Sequence, residues 1–373
     1  MHRALNACLK TAVTLLAVAP GTAVAQGVRL AEAPAPGQYG RAIAESRVLI
    51  DSLMEANVIP GLSIAVSVDG ATVWSEGFGW ANIESQAPVT PLTKFRVGSI
   101  SKSLAAAALG QLYEQGKLDL DAPVQQYVPS FPRKAKGTVT TRLVAGHLAG
   151  IRHYSDANEM LFDNRYETVL DGLKIFQNDT LLFAPGSRYS YSTFGWNLLS
   201  AVVEGASGES FLDYMRRHVF EPLGMRHTVA DHTDSIIIGR TGFYQPTRDG
   251  RIVNAPDVDN SYKWAGGGYL STPEDLLRFA NAHLRGEIVS PKTVDLWWTS
   301  QRTASGEETG YGMGWSTRMV DGHKLVGHTG GSVGGNSALM IIVDAGVVVA
   351  IATNTSSARL AGIPNRIARR FIN

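Results

Sequence analysis

The stretch Phe95-Arg-Val-Gly-Ser-Ile-Ser-Lys-Ser-Leu104, continued by an alanine-rich run to Leu112, decides how this chain is read. Gly98 marks a turn, and Leu104, Ala105, Ala108, Leu109 and Leu112 keep an apolar face at helical spacing. This predicts a buried helix with Ser99 at its mouth and Lys102 one turn further along. Residues three apart share a helix face, so the amine comes within reach of the hydroxyl. A serine hydroxyl is a poor nucleophile until its proton is taken, and a desolvated lysine beside it can be that base. The helix N-terminus adds positive potential where an oxyanion would form. S-x-x-K is a short pattern that a chain of this length holds about once by chance. Here it occurs once, at the opening of a strongly apolar helix.

The 373 residues, 44% hydrophobic and 18% charged, are enough for one large core or two linked ones. A formal charge of +1 argues against nucleic acid or an anionic membrane as a main partner. Residues 1–25 have the form of an export signal. Arg3 and Lys10 give a basic start, Thr11 to Ala19 an apolar centre, and Ala23-Val-Ala25 a cleavage site before Gln26. The apolar centre falls short of the roughly 20 residues a membrane span needs, so cleavage is favoured over anchoring and no stable insertion is expected. Cys8 leaves with that segment; its apolar run lies after it rather than before it, which argues against lipidation. The exported chain, periplasmic or extracellular, then has no thiol chemistry.

Residues 26–36 are expected to form a flexible arm and Tyr39 to about Ala56 a helix. Leu62 to Val68 and Thr72 to Glu76 read as strands joined by the tight turn Asp69-Gly70, with Phe78 to Ile83 continuing in the same manner. Buried helices are predicted over Trp196 to Glu204 and Phe211 to Phe220. Ser271-Thr-Pro-Glu-Asp275 is a helix start. Ala338 to Val343 and Val347 to Thr353 read as a hairpin, and Arg359 to Phe371 as a terminal helix. The expected organisation is α+β: a sheet domain from 37–104 and 251–373, and a mostly helical domain, 105–250, inserted into it.

Two later stretches can complete a site. In Arg188-Tyr-Ser-Tyr191-Ser-Thr193, a loop tyrosine can hold its hydroxyl out as a proton relay, although a half-buried aromatic is the more ordinary role. In Gly327-His-Thr-Gly-Gly-Ser332, glycine lets backbone approach a ligand, and a strand N–H can serve an oxyanion. Gly330-Gly-Ser-Val-Gly334 also fits G-x-S-x-G, but the residues after Ser332 are strand-like and no histidine lies beyond His328, so the nucleophile-elbow reading fails. No histidine pair has the H-E-x-x-H form, there is no P-loop, and neither metal nor cofactor is expected.

Ser99-x-x-Lys102, Tyr191-Ser-Thr193 and His328-Thr-Gly330, in this order and at these separations, resemble the penicillin-recognising serine hydrolases: class C β-lactamases, D-alanyl-D-alanine carboxypeptidases and related esterases and peptidases. The likeness covers about Ile59 to Ile372 and includes Phe220-Glu-Pro-Leu-Gly-Met225, Leu270-Ser-Thr-Pro-Glu-Asp-Leu276 and Tyr311-Gly-Met-Gly-Trp315. Gly150-Ile-Arg-His-Tyr154, Tyr191-Ser-Thr-Phe-Gly195 and His328-Thr-Gly-Gly331 resemble most the branch holding the mitochondrial serine β-lactamase-like protein and bacterial peptidases of linear peptides. The resemblance implies an antiparallel sheet flanked by helices, with the site in a cleft beside a helical domain. It implies Ser99 as nucleophile, Lys102 and Tyr191 sharing proton transfer, His328 supporting Tyr191 by a hydrogen bond, and the N–H groups of Ser99 and Gly331 as oxyanion hole. Thr193, Thr329 and Gly330 would contact substrate, and Arg152, His153, Tyr154 and Trp264 could line the cleft or merely pack.

Two departures separate the chain from the β-lactamases it resembles. Thr193 stands where they usually carry asparagine, and His328 where they carry lysine. Threonine offers only a hydroxyl, and histidine is mostly neutral at pH 7 where lysine would be a cation. The expected activity is therefore cleavage of a small-molecule or peptide substrate, a peptide amide first and an ester next, with β-lactam hydrolysis as the alternative. An idle peptidoglycan-binding module is opposed by the joint presence of serine, lysine and tyrosine.

Overall fold

The computed structural model describes residues 30–31 and 37–372. The expected export signal lies outside the described residues. Within the expected arm, Leu30–Ala31 forms the short strand β1, paired antiparallel with Gly77 and Glu76.

The helix α1 (Gly40–Asn57) leads into β2 (Gly61–Val68) and β3 (Ala71–Asn82). Asp69 and Gly70 both take positive φ at the turn between them, the conformation that matches the strands' own twist. Ala87–Pro88 (β4) pairs with the far end of β3. The remaining strands are β5 (Ser316–Val320), β6 (His323–Ser332), β7 (Gly335–Ile342) and β8 (Val347–Thr353). The sheet order is β1-β3-β2-β8-β7-β6-β5, so strands from opposite ends of the chain meet at its centre, with Leu62 facing Thr353. The β2, β7 and β8 strands, buried on both faces, read as long apolar runs for that reason.

Four further helices position the site: α2 (Ile100–Glu114), α3 (Thr193–Ser207), α4 (Pro273–Leu284) and α5 (Ile363–Ala368). One sheet face packs Ile64, Val66, Val349 and Ile351 against α1 and α5. The other packs Ala65, Val348, Ala350 and Leu339 against α4 and α2. That second core continues into the helical region through Phe194, Trp196 and Phe211, so sheet and helices share one interior.

The stretch from Arg359 is helical only over Ile363–Ala368, because Gly362 turns with φ +77 and Pro364 suits only a first helical turn. Phe211–Phe220 begins as an α-turn and widens to a π-turn from Met215. From 105 onward the helices are separated by long loops and a small hairpin, Tyr244–Pro246 with Ile252–Asn254, which runs past the expected boundary at 250. Among the described residues, no helix is long and apolar enough to cross a membrane.

Candidate active site

The segment carrying Ser99 is held at both ends. Phe95–Arg96 pairs with Tyr269–Ser271, and the Val97 carbonyl accepts a 2.8 Å hydrogen bond from Ser337 on β7. Arg96 is buried; it pairs with Asp231 at 2.6 Å and donates at 2.9 Å to the Val333 carbonyl, beyond the end of β6. Gly98 then turns with φ +49. A Cβ there would lie 2.6 Å from Gly331 O and 2.9 Å from its N and C, so Ser99 and the Gly331 peptide are close neighbours.

Serine at the head of a helix normally caps it by accepting from a backbone N–H. Ser99 instead has helical dihedrals and makes no such bond. Its Oγ lies 2.9 Å from Lys102 Nζ. Alanines at 105–108 let α2 be enclosed on all sides, and Lys102 is fully buried within it. Burial, aided by the charge of Lys263, pushes the amine well below the ordinary lysine value. Lys102 Nζ also meets the Gly266 carbonyl at 2.6 Å and Thr193 Oγ1 at 3.2 Å. A neutral amine has two N–H groups and one lone pair. The carbonyl can only accept and the threonine hydroxyl can accept the second N–H, which leaves the lone pair for the Ser99 proton. Thr193, expected to contact substrate, is buried with its hydroxyl turned to Lys102.

Tyr191 sits beside this pair, its ring centroid 5.0 Å from Lys102 Nζ. Burial raises the phenol pKa, and hydrogen bonding with Ser99 is the largest opposing influence, so the hydroxyl stays protonated and faces Ser99. Two histidines hold the loop that carries it. His147 Nδ1 accepts from Ser192 N–H at 3.0 Å and His153 Nδ1 from Thr193 N–H at 3.1 Å. The His147 ring packs 4.3 Å from that of Tyr191. Burial keeps both imidazoles neutral, His153 at about 4 and His147 well below its ordinary value. His147 adopts φ +61, a strained conformation for a residue with a Cβ. Read from sequence, His147 is a structural histidine and His153 could line the cleft or merely pack; the available signal was the Gly150-Ile-Arg-His-Tyr154 motif, which does not say that either ring accepts from the tyrosine loop.

His328 departs from expectation. Its Nδ1 donates to the Thr329 carbonyl at 2.6 Å, so Nε2 carries the lone pair and accepts from the Tyr311 hydroxyl at 2.8 Å. The expected bond to Tyr191 is replaced by this one, with the two ring centroids 6.3 Å apart. Burial and the nearby Lys102 push His328 down to about 3, so it is neutral. Beyond the last β5–β6 pair, Ser316 with Gly327, the outer edge of β6 faces the cleft. Thr329 and Gly331 are exposed there, while Gly330 is buried so closely that a Cβ would lie 1.9 Å from the Val97 carbonyl. Ser332 lies at the tip of the β6–β7 hairpin, with no helix after it. Arg152 is engaged by Glu159 and Asp179, and Trp264 packs on His232.

The chain is similar to proteins of known class over most of its length. The family model described as Beta-lactamase matches residues 47–370. The mouse (Mus musculus) mitochondrial serine beta-lactamase-like protein LACTB is 35% identical over 452 residues, covering 91% of this chain and 82% of that protein. A D-aminopeptidase of Gluconobacter oxydans is 26% identical, over 80% of this chain and 56% of its own length. Among solved structures, an octameric penicillin-binding protein homologue from Pyrococcus abyssi superposes with a TM-score of 0.75 at 30% identity, covering 87% of this chain and 75% of the other. With its β-lactamase/transpeptidase fold, the chain belongs to the β-lactamase family, whose members are serine hydrolases that act through an acyl-enzyme.

Proposed function

We propose that this protein is an exported hydrolase of linear peptides, with Ser99 as nucleophile, Lys102 as base and Tyr191 as proton donor to the leaving amine. The observation that carries the reading is the set of contacts around Lys102: the Gly266 carbonyl at 2.6 Å and Thr193 Oγ1 at 3.2 Å can take the two N–H groups of a neutral amine, leaving its lone pair for the Ser99 proton at 2.9 Å. Environments that push two groups' proton affinities apart assign their roles, and here burial lowers the amine's while it raises the phenol's.

In the proposed sequence Lys102 takes the Ser99 proton as Oγ bonds to the scissile carbonyl carbon. The oxyanion is met by the N–H groups of Ser99 and Gly331. As the C–N bond breaks, Tyr191 gives its proton to the departing amine and is reprotonated from Lys102. Water then repeats the steps on the acyl-enzyme, giving a proton to the same base, and Ser99 recovers its own. His328 supports the edge strand through Tyr311, and Thr329 and Gly331 flank an extended substrate.

A peptide amide is favoured over a β-lactam because neutral His328 and hydrogen-bonded Thr193 replace the groups that β-lactamases use. The similarity to a D-aminopeptidase supports amide chemistry. Export rests on the sequence of residues 1–25, and N-terminal sequencing of the mature protein should begin at Gln26. Ser99→Ala should abolish labelling by a fluorophosphonate; a variant that still labels places the nucleophile elsewhere. Turnover of nitrocefin at rates above those for linear peptides would replace the peptidase by a β-lactamase.

A further inference from the structure

Beside the edge strand lies a cavity of about 300 Å³ that the proposed proton transfers leave unused. Ligand sites begin near that size. Tyr189, Tyr191 and Thr329 line one end of it, while Ser99, Lys102 and Gly331 form no part of its wall. From there it follows β6 past the point where β5 begins to pair. Leu360, ahead of α5, and Pro364, in the first turn of α5, close its far side. A cavity that meets the proposed proton donor to the leaving amine, but not the acylated serine, lies on the leaving side of the cleaved bond.

Charge is unevenly placed in this wall. No aspartate or glutamate lines it, His328 is neutral, and Arg318 on β5 brings a permanent cation. Arg318 is exposed, and among the described residues its guanidinium has neither an ion-pair partner nor a hydrogen bond. Asp321, three residues along the chain, is taken by Arg369.

Register sets how far this cation stands from the reacting centre. Arg318 faces Leu325, four residues along β6 from Thr329. At about 3.3 Å per residue that separates the backbones by roughly 13 Å. The arginine stem spans part of the gap, and an extended leaving chain advances roughly 3.3–3.6 Å per residue. A carboxylate on the residue next to the cleaved bond falls short, whereas one on the second or third residue arrives.

We propose that this cavity receives the leaving part of the substrate, and that Arg318 is a specificity-determining residue binding a carboxylate on its second or third residue. The planar guanidinium can take that carboxylate through two parallel N–H···O bonds, against apolar walls at Leu360 and Pro364. The proposal deepens the peptidase reading and rests on it, since the side of the cavity is fixed by the role given to Tyr191.

The test is competition within one digest of linear peptides, read by mass spectrometry. The library is amidated at its C-termini and carries each sequence in pairs, glutamate or glutamine, at the first, second or third residue after a bond. The wild type should cut the glutamate member at least about threefold faster when it stands second or third, and show no such preference at the first. Arg318→Gln should lose the preference and Arg318→Glu should invert it. The readout is a ratio within one enzyme, so it does not depend on how much of a variant folds. A wild-type preference below threefold at both positions overturns the proposal, as does one that survives Arg318→Gln. No cleavage of any peptide, with Ser99 still labelled by a fluorophosphonate, refutes the peptidase reading itself, a distinct outcome.

Discussion

Replacing Gly98 by alanine tests the seat of the proposed nucleophile directly. The structure sets two costs. The first is conformational, because φ +49 is left-handed and costs an L-residue roughly 1–2 kcal/mol. The second is steric. The new Cβ would stand 2.6 Å from Gly331 O and 2.9 Å from its N and C, and ordinary contact begins near 3.4 Å. The two backbones must therefore part by roughly 0.5–0.8 Å, since interiors have little slack. Oxyanion donors work only within a few tenths of an ångström, and a displacement of about 1 Å can cost ~100-fold in rate. Gly98→Ala should lower kcat about 100-fold with little change in KM, and lose more stability than the roughly 1–2 kcal/mol of the conformational cost by itself. Gly208→Ala is the matched control. It has φ +79 with nothing within 4 Å of the added carbon, so it carries the conformational cost alone. The assay is hydrolysis of a p-nitrophenyl ester alongside urea denaturation. If folded Gly98→Ala turns over within about threefold of the wild type, the Gly98–Gly331 contact does not set the oxyanion geometry.

Tyr191→Phe should lower kcat by about 10²–10⁴ while leaving KM nearly unchanged, because a proton donor acts in the transition state; an unaltered kcat removes the phenol from the mechanism. Thr193→Val deletes one acceptor of Lys102, a loss of about 1 kcal/mol, so kcat/KM should fall roughly fivefold, as measured by ester hydrolysis. The acid limb of kcat/KM should lie well below the ordinary lysine value of 10.5, since burial holds Lys102 down; a limb near 10 contradicts a neutral amine at rest. Buried His283 and His328 are held at about 4 and about 3 against an ordinary 6.5. Below pH 6.5 the unfolded chain takes up protons that the folded one refuses. Stability should therefore fall as pH drops from about 6.5 toward 4, and urea midpoints that stay flat across that window count against it.

Ser99 and Lys102 were legible because helical spacing alone brings them together; Tyr191 stands in a turn ahead of a helix, but only the family resemblance separated it from an ordinary half-buried aromatic. The hairpins were legible from Asp69-Gly70 and Asp344-Ala-Gly346. Contacts made by single atoms across the chain leave no such pattern. Tyr311 takes the hydrogen bond expected to run from His328 to Tyr191; the Tyr311-Gly-Met-Gly-Trp315 motif marks the residue but not its partner. The Gly266 carbonyl that orients Lys102 belongs to the backbone, where residue type is silent. His147 and His153 grip consecutive amides through acceptor nitrogens, a role without periodicity. The shortened terminal helix is different: Gly362 and Pro364 were in plain view, and the apolar pattern from Arg359 outweighed them.

The central pairing of β2 with β8 has a bearing on when the protein becomes competent. A growing polypeptide holding Ser99, Lys102 and Tyr191 still lacks β6, β7 and β8, and with them Gly331 and the Ser337 hydroxyl that clamps Val97. Such long-range pairings close late and slowly. Synthesis order alone would thus keep the hydrolase inert until its final strands emerge, a safeguard that requires no inhibitory pro-segment.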